Sequence, residues 1–246
     1  MHNILNQIIE KKREDLKEKN EHDKNMFKNS ILKAKDIAII AEIKLATPTN
    51  PSLALNIDSV KRALEYESSQ ADAISYITEK HFFKGNISDV SQIKSKVKIP
   101  LLLKDFIVDP YQIYEAKSAG ADAVLLIARL IDSDTIRDFV ALCLKIGIEP
   151  VVEINSFEDL EKATQTSTSI IAVNARDLDT FNVDIDFACQ LIEKISSKYI
   201  KLGFSGITSV EEVRKYKSAG ADGILVGTSL MQATNIKEFI KSLRSL

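Results

Sequence analysis

The chain has 246 residues, 45% hydrophobic and 28% charged, with 33 basic and 35 acidic side chains and a formal net charge of -2. That balance suits a folded domain with a sizeable core and excludes a disordered chain. It gives no global electrostatic argument for nucleic acid or an acidic membrane, so any anion site must be local.

The first segment, MHNILNQIIEKKREDLKEKN, lacks the apolar centre of a signal peptide. No window of the chain approaches the roughly 18 continuous apolar residues of a membrane span. A cytoplasmic protein with no membrane partner is the expectation. Ile4, Leu5, Ile8, Ile9 and Leu16 recur at amphipathic helical spacing, which predicts a helix packed on the main body. It belongs to a helical extension over about residues 1–35.

Beyond it, short apolar runs alternate with longer segments of helical period. Eight strand candidates lie near 37–43, 72–77, 99–104, 122–127, 147–153, 169–174, 200–204 and 222–226. Helical stretches such as Asp58–Glu67, Asp109–Ala119 and Ser209–Ala219 fall between them. Eight β-then-α units predict an α/β chain folded as a single (β/α)8 TIM barrel over residues 1–246, a usual length for that architecture. An open doubly wound sheet is the competitor, but no GxGxxG turn is present. KSAGAD occurs at Lys117–Asp122 and again at Lys217–Asp222. Gly120 and Gly220 can close a helix in the left-handed conformation and send the chain straight into a strand. Cys143 and Cys189 sit in helical stretches without metal or disulfide spacing, and they read as buried free thiols.

Several strands end in charge. IPLLLKDF (Ile99–Phe106), AIIAEIK (Ala38–Lys44), EPVVEIN (Glu149–Asn155) and IIAVNARD (Ile170–Asp177) each carry an apolar run to an acid, base or amide. In a parallel barrel such C-terminal strand ends form the catalytic face. Glu42, Lys44, Lys104, Asp105, Glu153, Asn155, Asn174 and Arg176 are therefore candidates. Glu42 and Lys44 are two apart, as are Glu153 and Asn155, so each pair shares a side of its strand. Together they can bind an anion, donate a proton and accept one. GFSGITS (Gly203–Ser209) and VGTSL (Val226–Leu230) offer hydroxyls and exposed amides, which suits phosphate at the last two strand ends. Ser205, Gly206, Gly227 and Thr228 are the candidates there, with tight turns and helix caps as the plain alternative.

Taken in order, AEIKLATPTNPS, ITEKHFFKG, PLLLKDFIVDPYQIYEAKSAGADAVLLI, EPVVEIN, NARDLDTF, SGI and GADGILVGTSLM resemble the indole-3-glycerol-phosphate synthases of tryptophan biosynthesis. The resemblance spans essentially the whole chain. It implies a carboxy-lyase without cofactor or metal, closing the ring of 1-(2-carboxyphenylamino)-1-deoxyribulose 5-phosphate with loss of carbon dioxide and water. It further implies that Lys104 is the principal general acid, that Lys44 pairs with the anthranilate carboxylate and that Glu153 is a general base. Glu42 and Asn174 would orient groups. Phe83, Phe106 and Leu126 would wall the aromatic ring, although core packing is their plain reading. Thr47, Arg176, Ser205, Gly206, Gly227 and Thr228 would complete the substrate site, Thr47 joining the last four on the phosphate. The expected partner is a phosphorylated small molecule, with the chain a monomer or weak dimer.

Two positions depart from the family pattern. Leu45 stands where arginine is usual, and Phe204 stands where glutamate precedes Ser-Gly. The losses cancel in charge, which motivates the hypothesis that they are a coupled replacement of a polar pair by apolar residues. A phosphoribosylanthranilate isomerase-like barrel is the rival enzyme, but it wants a cysteine at a strand end. A weakened barrel that only binds phosphorylated metabolites rests on Leu45 and Phe204 alone.

Overall fold

In the computed structural model, which describes residues 10–11, 25–48, 50–51, 53–54 and 57–245, eight strands close into a parallel barrel. They are β1 (Ala38–Ile43), β2 (Ala73–Ile77), β3 (Leu101–Lys104), β4 (Ala123–Ile127), β5 (Glu149–Ile154), β6 (Ile170–Asn174), β7 (Ile200–Phe204) and β8 (Gly223–Val226). β8 pairs back onto β1. Helix α1 (Met26–Lys33) precedes the barrel, and α2 (Ser59–Ser68), α3 (Ile87–Lys94), α4 (Pro110–Ser118), α5 (Ser133–Ile146), α6 (Phe157–Thr164), α7 (Ile185–Lys194) and α8 (Val210–Ser218) link its strands. The chain ends in α9 (Thr228–Gln232) and α10 (Ile236–Leu243). The predicted (β/α)8 barrel is the observed fold.

Strand alternation separates two cores. Ala38, Ile40, Leu102, Ala123, Leu125, Val151, Ala172, Leu202 and Leu225 fill the bore. Their neighbours Ile39, Ala41, Ile43, Leu103, Val124, Leu126, Val152 and Val173 pack outward under the helices. α1 plugs the lower end, with Phe27 and Ile31 joining the bore cluster. Each such side chain contributes roughly 1.5–3 kcal/mol when fully withdrawn from water. Ile4, Leu5, Ile8, Ile9 and Leu16 of the expected first helix lie outside the described residues.

The three helices read from sequence begin one residue later than expected, because Asp58, Asp109 and Ser209 serve as their N-caps. Most strands also start late, and at three of them the reason is chemical. Asp72, Asp122 and Asp222 turn their carboxylates sideways to accept from the Ile39, Leu101 and Lys201 amides at 2.8, 2.7 and 2.8 Å. An aspartate before β2, β4 and β8 thus ties each of these strands to a neighbouring odd one. Gly120 and Gly220 adopt φ of 91° and 94°, as the repeated KSAGAD segment requires. Gln70 does the same at φ 67° before Asp72, a third copy that its missing glycine concealed. Cys143 is buried, and Cys189 is only half-buried, short of the expected burial.

Glu149, at the lower end of β5, accepts from the Phe27 and Lys28 amides at 2.8 and 3.0 Å and so caps the first turn of α1. Burial pushes its carboxyl up to about 7 although both amides oppose the shift. A carboxyl that binds protons more tightly folded than unfolded loses stabilising effect as pH rises from its unfolded value of 4.5 to about 7, and the loss is complete above that. Unfolding measured across this window should show stability falling with pH in the native chain and a flatter profile in Glu149→Gln. Parallel profiles would remove Glu149 as the titrating tie.

Candidate active site

At the C-terminal mouth Glu42, only 2% exposed, accepts from two lysines at once. Lys44 Nζ lies 2.8 Å from Oε1 and Lys104 Nζ lies 3.2 Å from Oε2. Burial would raise the Glu42 carboxyl, but Lys104 and Lys44 outweigh it and hold the group at about 2. For Lys104 burial works against the charged form, yet Glu42 and Glu153 prevail and raise its proton affinity. The Tyr66 hydroxyl donates to the Glu42 carbonyl at 3.2 Å, fixing the strand end from behind.

Glu153 ends the same kind of strand on the other side of the bore. Asn174 Nδ2 donates to its Oε1 at 3.1 Å, and the Ser205 hydroxyl donates to Asn174 Oδ1 at 2.8 Å. Glu153 Oε2 is buried with no hydrogen-bond partner. Burial pushes the Glu153 carboxyl above its ordinary value, and Lys104 and Asn174 offset only part of that. Two glutamates at one mouth therefore have opposite proton affinities, the arrangement by which carboxyl pairs divide acid and base work.

The remaining expected residues divide. Phe83 and Phe106 meet at the rim with ring centroids 6.3 Å apart. Glu79 holds that loop by accepting from the His81, Phe82 and Phe83 amides. Sequence reasoning passed over Glu79, although an acid before two aromatics in a short loop was a readable signal. Arg176 donates through Nη1 to the Phe181 carbonyl at 2.9 Å while its amide donates to Asn174 Oδ1. Thr47 sits beyond β1, its hydroxyl accepting from the Asn50 amide at 2.9 Å. Ser205 and Gly206 adopt φ of 72° and 79°. They share a rim with Gly227 and Thr228, because Ser229 Oγ donates to the Ile207 carbonyl across the two loops.

Leu126 requires correction. It faces the helices in the outer core, whereas Leu125 and Ile127 on the same strand line the bore. The expected aromatic wall on β4 is one residue out of phase, and a single-residue step reverses the face. A cavity of about 470 Å³ lined by Thr78, Glu79, Leu103, Asp105 and Gln112 is likewise on the outer flank, since Leu103 belongs to the outer core and Asp105 bonds Thr78 at 2.5 Å. Leu45 and Phe204 lie at strands separated by β8. Cys143 and Cys189 are on α5 and α7, remote in kind from any strand-end nucleophile.

Fold and site define a (β/α)8 barrel with paired acids and lysines at its C-terminal face. The sequence pattern described as "Indole-3-glycerol phosphate synthase" matches residues 2–243. A protein of that name from Caldanaerobacter subterraneus subsp. tengcongensis is 40% identical over 255 residues, covering 98% of this chain and 99% of its own. Another from Aliarcobacter butzleri is 38% identical and covers 96% of each chain. Among solved structures, thiamine phosphate pyrophosphorylase from Pyrococcus furiosus superposes with a TM-score of 0.61 at 14% identity, over 85% of this chain and 93% of that one, a likeness of fold alone. The chain belongs to the indole-3-glycerol phosphate synthase family.

Gly227 is bound to the ion cluster by space. A Cβ there would lie 2.3 Å from Glu42 Oε1 and 2.9 Å from Lys44 Nζ. Gly227→Ala should lower kcat/KM by roughly ten- to a hundredfold through displacement of that pair, with the thermal midpoint nearly kept. Unaltered kinetics would show that the cluster is free to shift.

Proposed function

We propose that this barrel is a carboxy-lyase that converts 1-(2-carboxyphenylamino)-1-deoxyribulose 5-phosphate into indole-3-glycerol phosphate in tryptophan biosynthesis. The observation that carries the reading is the Lys44–Glu42–Lys104 cluster facing the partnerless Glu153 oxygen in a barrel of this family. The reaction has two proton demands. Ring closure needs an acid at the substrate carbonyl as the aromatic carbon attacks it. Dehydration needs a base for the proton lost from the new ring, together with a proton on the departing hydroxyl, which leaves as water.

Lys104, charged and held at the mouth by Glu42, is the acid for closure. Lys44 draws the anthranilate carboxylate to the face of the ring that must lose carbon dioxide. Lysines supply protons and neutralise a carboxylate without a metal. Glu153 is the base for dehydration, its free oxygen directed to substrate while Asn174 holds the other. Phe83 and Phe106, with Leu125 in place of Leu126, wall the aromatic ring. Arg176 stands beside Lys104 as a binding group. Thr47, Ser205, Gly206, Gly227 and Thr228 surround the phosphate, with Ser205 also steadying Asn174. We take residues 1–246 as one barrel domain, working in the cytoplasm as a monomer or weak dimer. No described helix is long and apolar enough to cross a membrane.

The test is incubation of the purified chain with the carboxyphenylamino-deoxyribulose phosphate while indole fluorescence is followed. Product should accumulate; none at high enzyme concentration sinks the reading. Lys104→Ala should lose on the order of 10²–10⁴ in kcat with the fold retained. Since Glu153 must be ionised to accept a proton and its affinity is raised, the acid limb of kcat/KM should lie above the ordinary carboxylate value of 4.5. An acid limb at or below that value, or one unmoved in Glu153→Gln, would exclude Glu153 as the base.

A further inference from the structure

The pairing register places four residues in one layer across the bore. Opposite partners run Glu42 to Ser75 to Leu102, then Leu102 to Ala123 to Glu149, and similarly onward, so each second strand is displaced by two residues. Restoring the height at every step takes Glu42 on β1 to Lys104 on β3, Glu153 on β5 and Phe204 on β7. The same step through Leu225 and Ile40 returns to Glu42. Layers of four from alternate strands are the packing rule of such barrels. Phe204 is fully buried and stands opposite Lys104, four strands away in either direction.

The lysine spans the bore to reach it. Lys104 Nζ lies 5.4 Å from the Phe204 ring centroid while remaining 3.2 Å from Glu42 Oε2. The register pairs Phe204 with Asn174, in the polar tier, above the apolar layers that Leu202 and Ile200 fill. Phe204 packs with the bore cluster from above, and it is the sole apolar member of its own layer.

We propose that Phe204 is a positioning residue for Lys104, its ring face holding the ammonium over the centre of the mouth where the substrate carbonyl must be protonated. The inference rests on the proton-donor role given to Lys104 above. The negative face of an aromatic ring attracts a cation within about 6 Å, more strongly when water is excluded. Glu42 alone would draw the ammonium toward the β1 wall. The ring supplies a second attraction from β7, directly across the bore from the lysine's own strand, without adding a carboxylate that would take the proton. The other charges facing Lys104 are Glu153, which favours its charged form, and Arg176, which opposes it. Lys44 occupies the far oxygen of Glu42.

The decisive measurement uses the unliganded chain labelled with ¹³C-lysine, the Lys104 resonance being assigned by its disappearance in Lys104→Ala. Its ε-methylene protons should be displaced upfield by the ring current, and an ordinary exposed-lysine shift would overturn the proposal without any variant of Phe204. In Phe204→Leu the upfield displacement should vanish and the Lys104 titration should move to lower pH by about half to one unit, since the charged form loses support. With substrate, kcat should fall roughly three- to tenfold with KM little changed, and the alkaline limb should follow the titration downward. Phe204→Tyr, which keeps the ring face, should retain the limb. A leucine variant with unchanged Lys104 titration and kcat would reduce Phe204 to packing. Failure of the wild-type chain to make product would instead remove the synthase reading and leave the titration result standing.

Discussion

Everything at the mouth depends on the layer that barrel closure imposes on β1, β3, β5 and β7. Eight parallel strands admit only every second side chain to the bore, and the stagger between strands gathers those from alternate strands at one height. The lower layers are apolar because no water reaches them. The top layer can be charged only because its charges neutralise each other, Glu42 against Lys104 and Lys44. A buried carboxylate without such partners would take up a proton. The ion cluster is thus a product of the bore geometry, and its neighbours are shaped to it: Gly227 has no room for a methyl group, and Tyr66 braces the Glu42 carbonyl.

The strand end after β7 shows what that positioning demands of the backbone. Ser205 is a non-glycine residue at φ 72°, followed by Gly206 at φ 79°. A side chain in this region costs conformational energy unless contacts over-determine it. Here the Ser205 hydroxyl reaches Asn174 Oδ1, and the Tyr216 hydroxyl donates to the Phe204 and Ser205 carbonyls, each at 3.1 Å. Tyr216 comes this close because Gly203 lacks a Cβ, which would otherwise lie 2.3 Å from the ring. The glycine in β7 and the tyrosine in α8 therefore act together to hold the turn that delivers Ser205.

Much of this was legible in the chain. Apolar runs ending in Lys104, Glu42, Glu153 and Asn174 mark both the strands and the face that carries chemistry, since a charge at the end of a buried run has one place to go. What escaped depends on contacts between distant strands. Leu126 and Leu125 are equivalent in a run of five apolar residues, and only the register tells which faces the bore. Asp72, Asp122 and Asp222 look like ordinary turn residues until their amide partners on neighbouring strands are seen. Gln70 hides a left-handed turn because the glycine of its two counterparts is absent.

The opposite wall of the layer explains how one residue type can serve two ends. Glu42 and Glu153 stand on β1 and β5, four strands apart, so a single lysine on β3 cannot bond both. It bonds Glu42, and Lys44 adds a second cation there; Glu153 keeps one amide donor from Asn174 and one oxygen with no partner. Both carboxyls are almost fully buried, so desolvation raises both, and the difference in their proton affinities comes from their neighbours: two lysines lower Glu42, whereas the Glu42 and Asp159 charges add to the rise at Glu153. A third acid on β7 would compete for Lys104 and narrow that difference. With Phe204 there the asymmetry is preserved: Glu42 is paired and held ionised, and Glu153 keeps a raised proton affinity.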